Sequence, residues 1–152
     1  MQKVIDIIKQ TRANFLNLVE GLTIEQLNKI PEGFNNNIIW NLAHIISAQQ
    51  ALCYRLAGLQ PVVDANFVDL FKKGSKPESF IDEEQLSHIK RMAEATITKL
   101  EFDLNDGLFA NYQSYTTSYN VTLNSIDDAV KFVAVHEALH FGYAMAQRKM
   151  VS

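Results

Sequence analysis

Two histidines near the end of the chain have the spacing and the surroundings of metal ligands. His136 and His140 are four residues apart in the otherwise apolar run 133–142, so they are expected to stack on one face of a helix. Two buried neutral imidazoles are hard to satisfy with protein groups alone, whereas a divalent cation accepts one lone pair from each. The pair therefore favours metal binding over two hydrogen-bonded core histidines.

The sequence HEALH at residues 136–140 also matches the HExxH motif of zinc metalloproteases, in which the glutamate is a general base. Only twelve residues follow His140, and none of them is His, Asp or Glu, so no further ligand lies downstream. Helical spacing places Glu137 about 100° from His136. We predict a surface glutamate, with a hydrogen bond to a histidine N–H as the alternative. A protease is therefore disfavoured.

A third ligand has to come from upstream, where the other histidines are His44 and His88. His88 falls about 140° from the centre of the apolar face of its helix, so it is predicted to lie on the surface. His44 lies mid-helix in an uncharged stretch, with the small residues Ala48 and Ala51 nearby. Three neutral histidines on one divalent ion would leave open coordination positions, as catalytic metal sites do.

Length and composition indicate one globular domain, residues 1–152. The chain has 152 residues, of which 47% are hydrophobic and 20% charged, which is enough for one core. Its formal net charge of −3 provides no basic excess for nucleic acid. No secretory signal or membrane span is expected. The single cysteine, Cys53, cannot form an internal disulfide, so a cytoplasmic location is predicted.

Apolar residues at helical spacing predict four long helices, at about residues 3–21, 38–57, 82–102 and 125–149. A short helix opened by Thr23 follows the first, and residues 67–71 are predicted to make a helical turn. Four long helices in a chain of this size predict an all-α four-helix bundle. The segment 103–124 has strand-like alternation but no evident partner strand, so it is predicted to be a long ordered loop before the last helix.

One face of the second long helix carries polar and small residues, which a purely apolar core would not need. Stepping 100° per residue from His44 places Trp40, Asn41 and Arg55 on the same side, so all three are candidates for a pocket. Asn41 is predicted to orient a ligand or to bond to backbone at the preceding loop. Arg55 is predicted either to bind a carboxylate at the pocket edge or to extend into solvent, and the spacing favours neither.

Other side chains complete the predicted pocket or are excluded from it. Tyr143 faces the same side of the last helix as His136 and is predicted to shape the pocket. Tyr115 and Tyr119 are predicted to pack their loop down rather than to line the mouth. Cys53 lies about 180° from His44, so it is not proposed as a nucleophile.

These features resemble the DinB-like metal-binding four-helix bundles, a family that includes bacillithiol transferases. The likeness covers essentially the whole chain in helix order and length. Residues 40–45, WNLAHI, are similar to the tryptophan-to-histidine pattern of the family's second helix, and His136, His140 and Gly142 are similar to its HxxxHxG motif. The resemblance implies a zinc or nickel site on His44, His136 and His140, and a homodimer.

The resemblance also implies a function. It suggests a metal-dependent S-transferase that uses a bacillithiol- or glutathione-type thiol on small electrophiles, with a small-molecule substrate and neither nucleic acid nor membrane as partner. The chain departs from transferase-like members, which often have Arg-Gly-Gln after the last histidine, because it has Phe141, Gly142 and Tyr143 there. A metal-binding stress-associated module without catalysis and a metal-dependent hydrolase are the alternatives.

Overall fold

Four long helices dominate the structure, a computed structural model that describes all 152 residues. The α-helices are α1 (Gln2–Glu20), α2 (Ile24–Asn28), α3 (Ile38–Gln49), α4 (Ala65–Leu70), α5 (Glu83–Asn105) and α6 (Ile126–Val151). Helix α3 continues through a π-helical turn, Gln50–Tyr54, and a 3-10 turn, Arg55–Ala57. Gly58 ends this run in the left-handed conformation, with φ 73°, which glycine adopts without steric cost.

Polar side chains determine where the helices begin. Asn37 accepts a hydrogen bond from the backbone N–H of Trp40 at the start of α3. Thr23 and Asp82 form capping boxes at the starts of α2 and α5, and Ser125 caps α6. Each cap satisfies a backbone donor that the first helical turn leaves free. The helices therefore start within a residue or two of the predicted positions.

The long helices form a bundle in which α1 and α3 each pack against both α5 and α6. The order around the bundle is therefore α1, α6, α3 and α5. Helix α4 packs on the outside of α3. None of the helices combines the length and the apolar character that crossing a membrane requires. The predicted all-α bundle is confirmed.

A layer of buried polar side chains divides the core into two apolar clusters, of 20 and 12 buried residues. Each long helix contributes one residue to this polar layer, namely Arg12, Gln49, Thr96 and Glu137, and each is at most 1% exposed. Along every helix, the polar residue falls between those of the two clusters. The four helices therefore meet through hydrogen bonds at mid-height and through apolar contacts above and below.

The centre of the polar layer is an ion pair between Arg12 and Glu137. The guanidinium donates to Glu137 through Nη2 at 2.6 Å and through Nε at 3.0 Å. Its remaining N–H groups donate to the Ala93 carbonyl at 2.8 Å, to Thr96 Oγ1 at 2.7 Å and to Gln49 Oε1 at 3.0 Å. All five donors of the arginine are thus satisfied, as a buried charge requires.

The prediction that Glu137 is a surface residue is wrong. Glu137 lies seven residues after Val130 and seven before Ala144, and both of these are fully buried. A spacing of seven residues returns to the same side of a helix, so Glu137 faces the core beside Arg12. The signal was present in the sequence, but a carboxylate there requires a buried cation that only the packing of α1 against α6 supplies.

The segment between α5 and α6 is mostly loop, as predicted, with one small addition. A two-stranded hairpin pairs β1 (Tyr115–Thr116) with β2 (Thr122–Leu123), Tyr115 opposite Leu123. The partner strand that sequence reasoning could not find is two residues long and lies in the same segment. Strands this short carry too little alternation to be recognised from sequence.

Replacing Glu137 by Gln removes the only carboxylate beside the buried Arg12 charge. The variant is expected to lose about 3–5 kcal/mol of unfolding free energy, measured by urea denaturation. The matched control is Glu20→Gln, which breaks the exposed Lys90–Glu20 pair at 2.7 Å and should change stability by less than about 1 kcal/mol. Equal losses in both variants would contradict the importance of the buried pair.

Candidate metal centre

The structure brings together the three histidines singled out in the sequence. His44 lies on α3, and His136 and His140 lie one turn apart on α6. One ring nitrogen from each lies within 4.8 Å of the other two, and the Nε2 atoms of His44 and His136 are 3.3 Å apart. Two imidazole nitrogens on one tetrahedral zinc ion are about 3.4 Å apart. The spacing therefore suits a shared ion.

His44 is held by two neighbours. Its Nδ1 lies 2.6 Å from the carbonyl oxygen of Phe71, and because a carbonyl only accepts, Nδ1 carries the hydrogen. The ring also stacks on Trp40, with centroids 4.5 Å apart and planes 9° apart. The Trp40 indole N–H donates to Ser75 Oγ at 3.1 Å. Nε2 of His44 therefore keeps its lone pair, and the ring orientation is restricted by an edge contact and a face contact.

His140 is oriented by Asn41, whose Oδ1 lies 2.7 Å from Nδ1 of the ring. The Nδ2 group of Asn41 donates to Asn36 Oδ1 and to the Asn37 carbonyl, both at 2.9 Å, so the amide oxygen must face His140. Nδ1 of His140 is therefore the donor and Nε2 keeps its lone pair. Histidines that ligate metals usually donate their other N–H to an oxygen in this way. Asn41 therefore bonds to backbone at the preceding loop, as one of its two predicted roles requires, and it also orients the His140 ring.

The third ring, His136, shows why a cation fits this group. A neutral His136 has one N–H, which can satisfy only one of the two lone pairs offered by His44 and His140. Its own Nδ1 is buried and makes no hydrogen bond to the protein. Without a cation, at least one lone pair of the three rings has no donor within the cluster, whereas a divalent ion accepts all three. The donor set suits zinc or nickel, both of which imidazole binds well.

Burial keeps the three rings neutral. It lowers the pKa of His44, although the hydrogen bond to the Phe71 carbonyl acts in the opposite direction. Burial and the charge of a protonated His44 lower the pKa of His136 to about 4. Burial, with the charges of His136 and His44, lowers the pKa of His140 to about 3. All three rings are therefore unprotonated near pH 7, the form that binds a metal.

The histidines border a cavity of about 690 Å³, a size typical of small-molecule sites. Trp40, Asn41 and Tyr143, predicted as pocket residues, all line it. Tyr115 and Tyr119 line it as well and are 39% and 45% exposed. The prediction that these two tyrosines do not line the mouth is therefore wrong, although the Tyr119 ring also packs edge-on against Phe132, with centroids 5.3 Å apart.

Arg55 lies outside the cavity. Its side chain is 40% exposed and lies 3.7 Å from the carboxylate of the exposed Asp69, which corresponds to the predicted alternative of an arginine that extends into solvent. The π-helical turn Gln50–Tyr54 explains the difference. One extra residue in a turn rotates all later residues by about 100° relative to an unbroken α-helix, so the structure corrects the placement of Arg55 at the pocket edge.

Two other polar side chains have the predicted locations outside the site. His88 is exposed on α5. Cys53 is fully buried, and burial raises the pKa of its thiol far above the usual range, so it is unsuited to act as a nucleophile. Neither residue contributes to the histidine cluster.

Sequence reasoning missed two supports of the site. The first is the backbone carbonyl of Phe71, which has no signature because every residue has a carbonyl. The second is Arg12, which pairs with the residue next to His136. Arg12 lies four residues after Ile8 and three before Phe15, both fully buried, so its place on an apolar face was a readable signal.

A comparison with protein families matches residues 7–144 to the family described as the DinB superfamily. The matched range contains all three histidines and Trp40. A search of curated proteins gives no match.

Replacing Asn41 by Leu removes the acceptor that orients His140 while keeping the side-chain volume similar. Zinc affinity is expected to fall about 10–100-fold, measured by competition titration with a chromophoric chelator. The control is Asn35→Ala, since Asn35 also lines the cavity but is exposed. Unchanged affinity in a folded Asn41→Leu protein would show that Asn41 does not orient a ligand.

Proposed function

We propose, since this chain belongs to the DinB superfamily, that His44, His136 and His140 bind one divalent metal ion, zinc or nickel, and that the protein is a metal-dependent S-transferase for a small thiol. The observation that carries the proposal is the arrangement of three neutral imidazoles beside a cavity of about 690 Å³. A purely structural metal site is usually closed by four protein ligands. Here the protein supplies three, next to space for a substrate.

The chain's own residues would prepare this site for a ligand. When bound, a divalent ion supplies the means to lower the pKa of a thiol or water that coordinates it. Trp40 and Phe132 provide apolar walls beside the histidines, which limit water and strengthen electrostatic interactions. The contacts from Phe71 and Asn41 hold two of the imidazole rings in place before a ligand arrives.

The proposed transfer is a nucleophilic substitution in which the thiol sulfur attacks an electrophilic carbon. The thiol loses its proton, the sulfur forms a bond to an electrophilic carbon, and the bond from that carbon to its leaving group breaks, with the electron pair departing on the leaving group. No carboxylate lines the cavity, and Glu137 is held by Arg12 inside the core. The proton is therefore expected to pass to solvent rather than to an acidic side chain.

Protein purified without an affinity tag is expected to contain close to one zinc or nickel ion per chain, measured by elemental analysis. His136→Ala should lose most of the metal, because two imidazoles bind a divalent ion far more weakly than three. His88→Ala is the matched control, since His88 is exposed and outside the cluster. A wild-type protein that takes up neither metal would contradict the proposed site.

Metal-loaded protein is expected to turn over bacillithiol or glutathione with an activated haloarene. The rate should fall about 100-fold or more in His136→Ala, measured by loss of thiol and formation of the thioether. Turnover of an ester with water alone would identify a hydrolase instead. A filled metal site with no turnover of the thiol and haloarene or of the ester would identify a binding module.

A further inference from the structure

The cavity beside the histidines has an unusual charge composition. The chain as a whole is acidic, with 17 Asp and Glu against 14 Lys and Arg. Apart from the histidines, the only ionisable groups among the cavity-lining side chains that are charged near pH 7 are Lys72 and Lys73. No acidic residue lines the cavity. A ligand in the cavity therefore meets positive charge only, although the chain as a whole has an excess of negative charge.

The segment that carries these lysines is attached to the site at both ends. On one side, the Phe71 carbonyl accepts the hydrogen of His44 Nδ1 at 2.6 Å. On the other, Ser75 Oγ accepts the indole N–H of Trp40 at 3.1 Å. Gly74 has φ 86°, a conformation that glycine adopts without strain, and it turns the chain between these contacts. The lysines are therefore held beside the cavity by the residues that position His44.

Both lysines are free to bind a further group. Lys72 lies 3.8 Å from the Asp69 carboxylate, and both side chains are more than half exposed. Such a pair contributes little to stability, so its cation remains available. Lys73 is exposed and forms no salt bridge. Asp69 lies outside the cavity and is also 3.7 Å from Arg55, so it offsets the charge of Lys72 only in part and leaves that of Lys73 unchanged.

We propose that Lys72 and Lys73 select a carboxylate-bearing thiol as the ligand of this cavity. The carboxylate would lie between the two ammonium groups while the sulfur lies at the histidines. A carboxylate fits better than a neutral polar group, because hydrogen bonds from ammonium donors to an anion are about twice as strong as neutral ones. This inference rests on the proposed function and adds the charge of the thiol and the residues that recognise it.

The test measures thiol binding, not turnover, in protein loaded with Co²⁺, since a thiolate on cobalt gives a near-ultraviolet charge-transfer band. N-acetylcysteine and N-acetylcysteine amide are matched thiols that differ in a carboxylate against a neutral amide. The wild type is expected to bind the carboxylate form about tenfold more tightly. Added NaCl should reduce the preference, because exposed charges are screened.

The double variant Lys72→Gln, Lys73→Gln should bind both thiols equally and take up cobalt as the wild type does. Both lysines are exposed, so the fold should be kept, and circular dichroism checks this. Lys76→Gln is the matched control, because Lys76 lies in the same segment but does not line this cavity. It should keep the preference.

Two results would overturn the inference without affecting the proposed metal site. One is equal affinity of the cobalt protein for the two thiols. The other is a preference for N-acetylcysteine that survives in the double variant, which would mean that the metal itself binds the carboxylate. Failure of the wild type to bind cobalt, zinc or nickel would overturn the proposed function, and the inference with it.

Discussion

The buried ion pair between Arg12 and Glu137 is the constraint on which the rest of the structure depends. Moving two charges out of water costs several kcal/mol per ion and is offset only when every donor and acceptor is paired. Here the partners come from all four long helices. The helices can therefore slide or rotate against one another only by leaving a charge unpaired. This requirement defines one register of the bundle where apolar packing alone would tolerate several.

The same register positions the candidate metal centre. Glu137 follows His136 in the chain, and neighbouring residues on a helix point about 100° apart. When Glu137 faces Arg12 in the core, His136 faces sideways towards α3 and the cavity. A rotation of α6 by one residue would bring His136 into the core and Glu137 out of it. The ion pair and the imidazole cluster are thus two consequences of one helix orientation.

The HExxH motif illustrates how the same residues have different roles in different folds. In zinc proteases the glutamate acts beside the metal. In this chain Glu137 is fully buried and paired with Arg12, so it has no access to the cavity. The two histidines keep their metal-ligand spacing because that spacing depends only on the helical repeat. The role of the glutamate depends instead on which helix packs against the side of α6 that carries it.

The sequence by itself determined the features that depend on residues close together in the chain. The helix starts followed from Asn37, Asp82 and Ser125, because capping involves residues only a few positions apart. The choice of His44 over His88 followed from the polarity around each, since a helix exposes one face and buries another. Local periodicity was therefore sufficient for the bundle and for the three histidines.

Only the tertiary structure decided the surroundings of those histidines. The π-helical turn moved Arg55 out of the site, and a turn of this kind has no recognised sequence signature. The Phe71 carbonyl reaches His44, and Lys72 reaches the cavity, from a segment nearly thirty residues further along the chain. Arg12 meets Glu137 across 125 positions of sequence. Such contacts depend on how separate helices pack, which the spacing of residues within one helix does not contain.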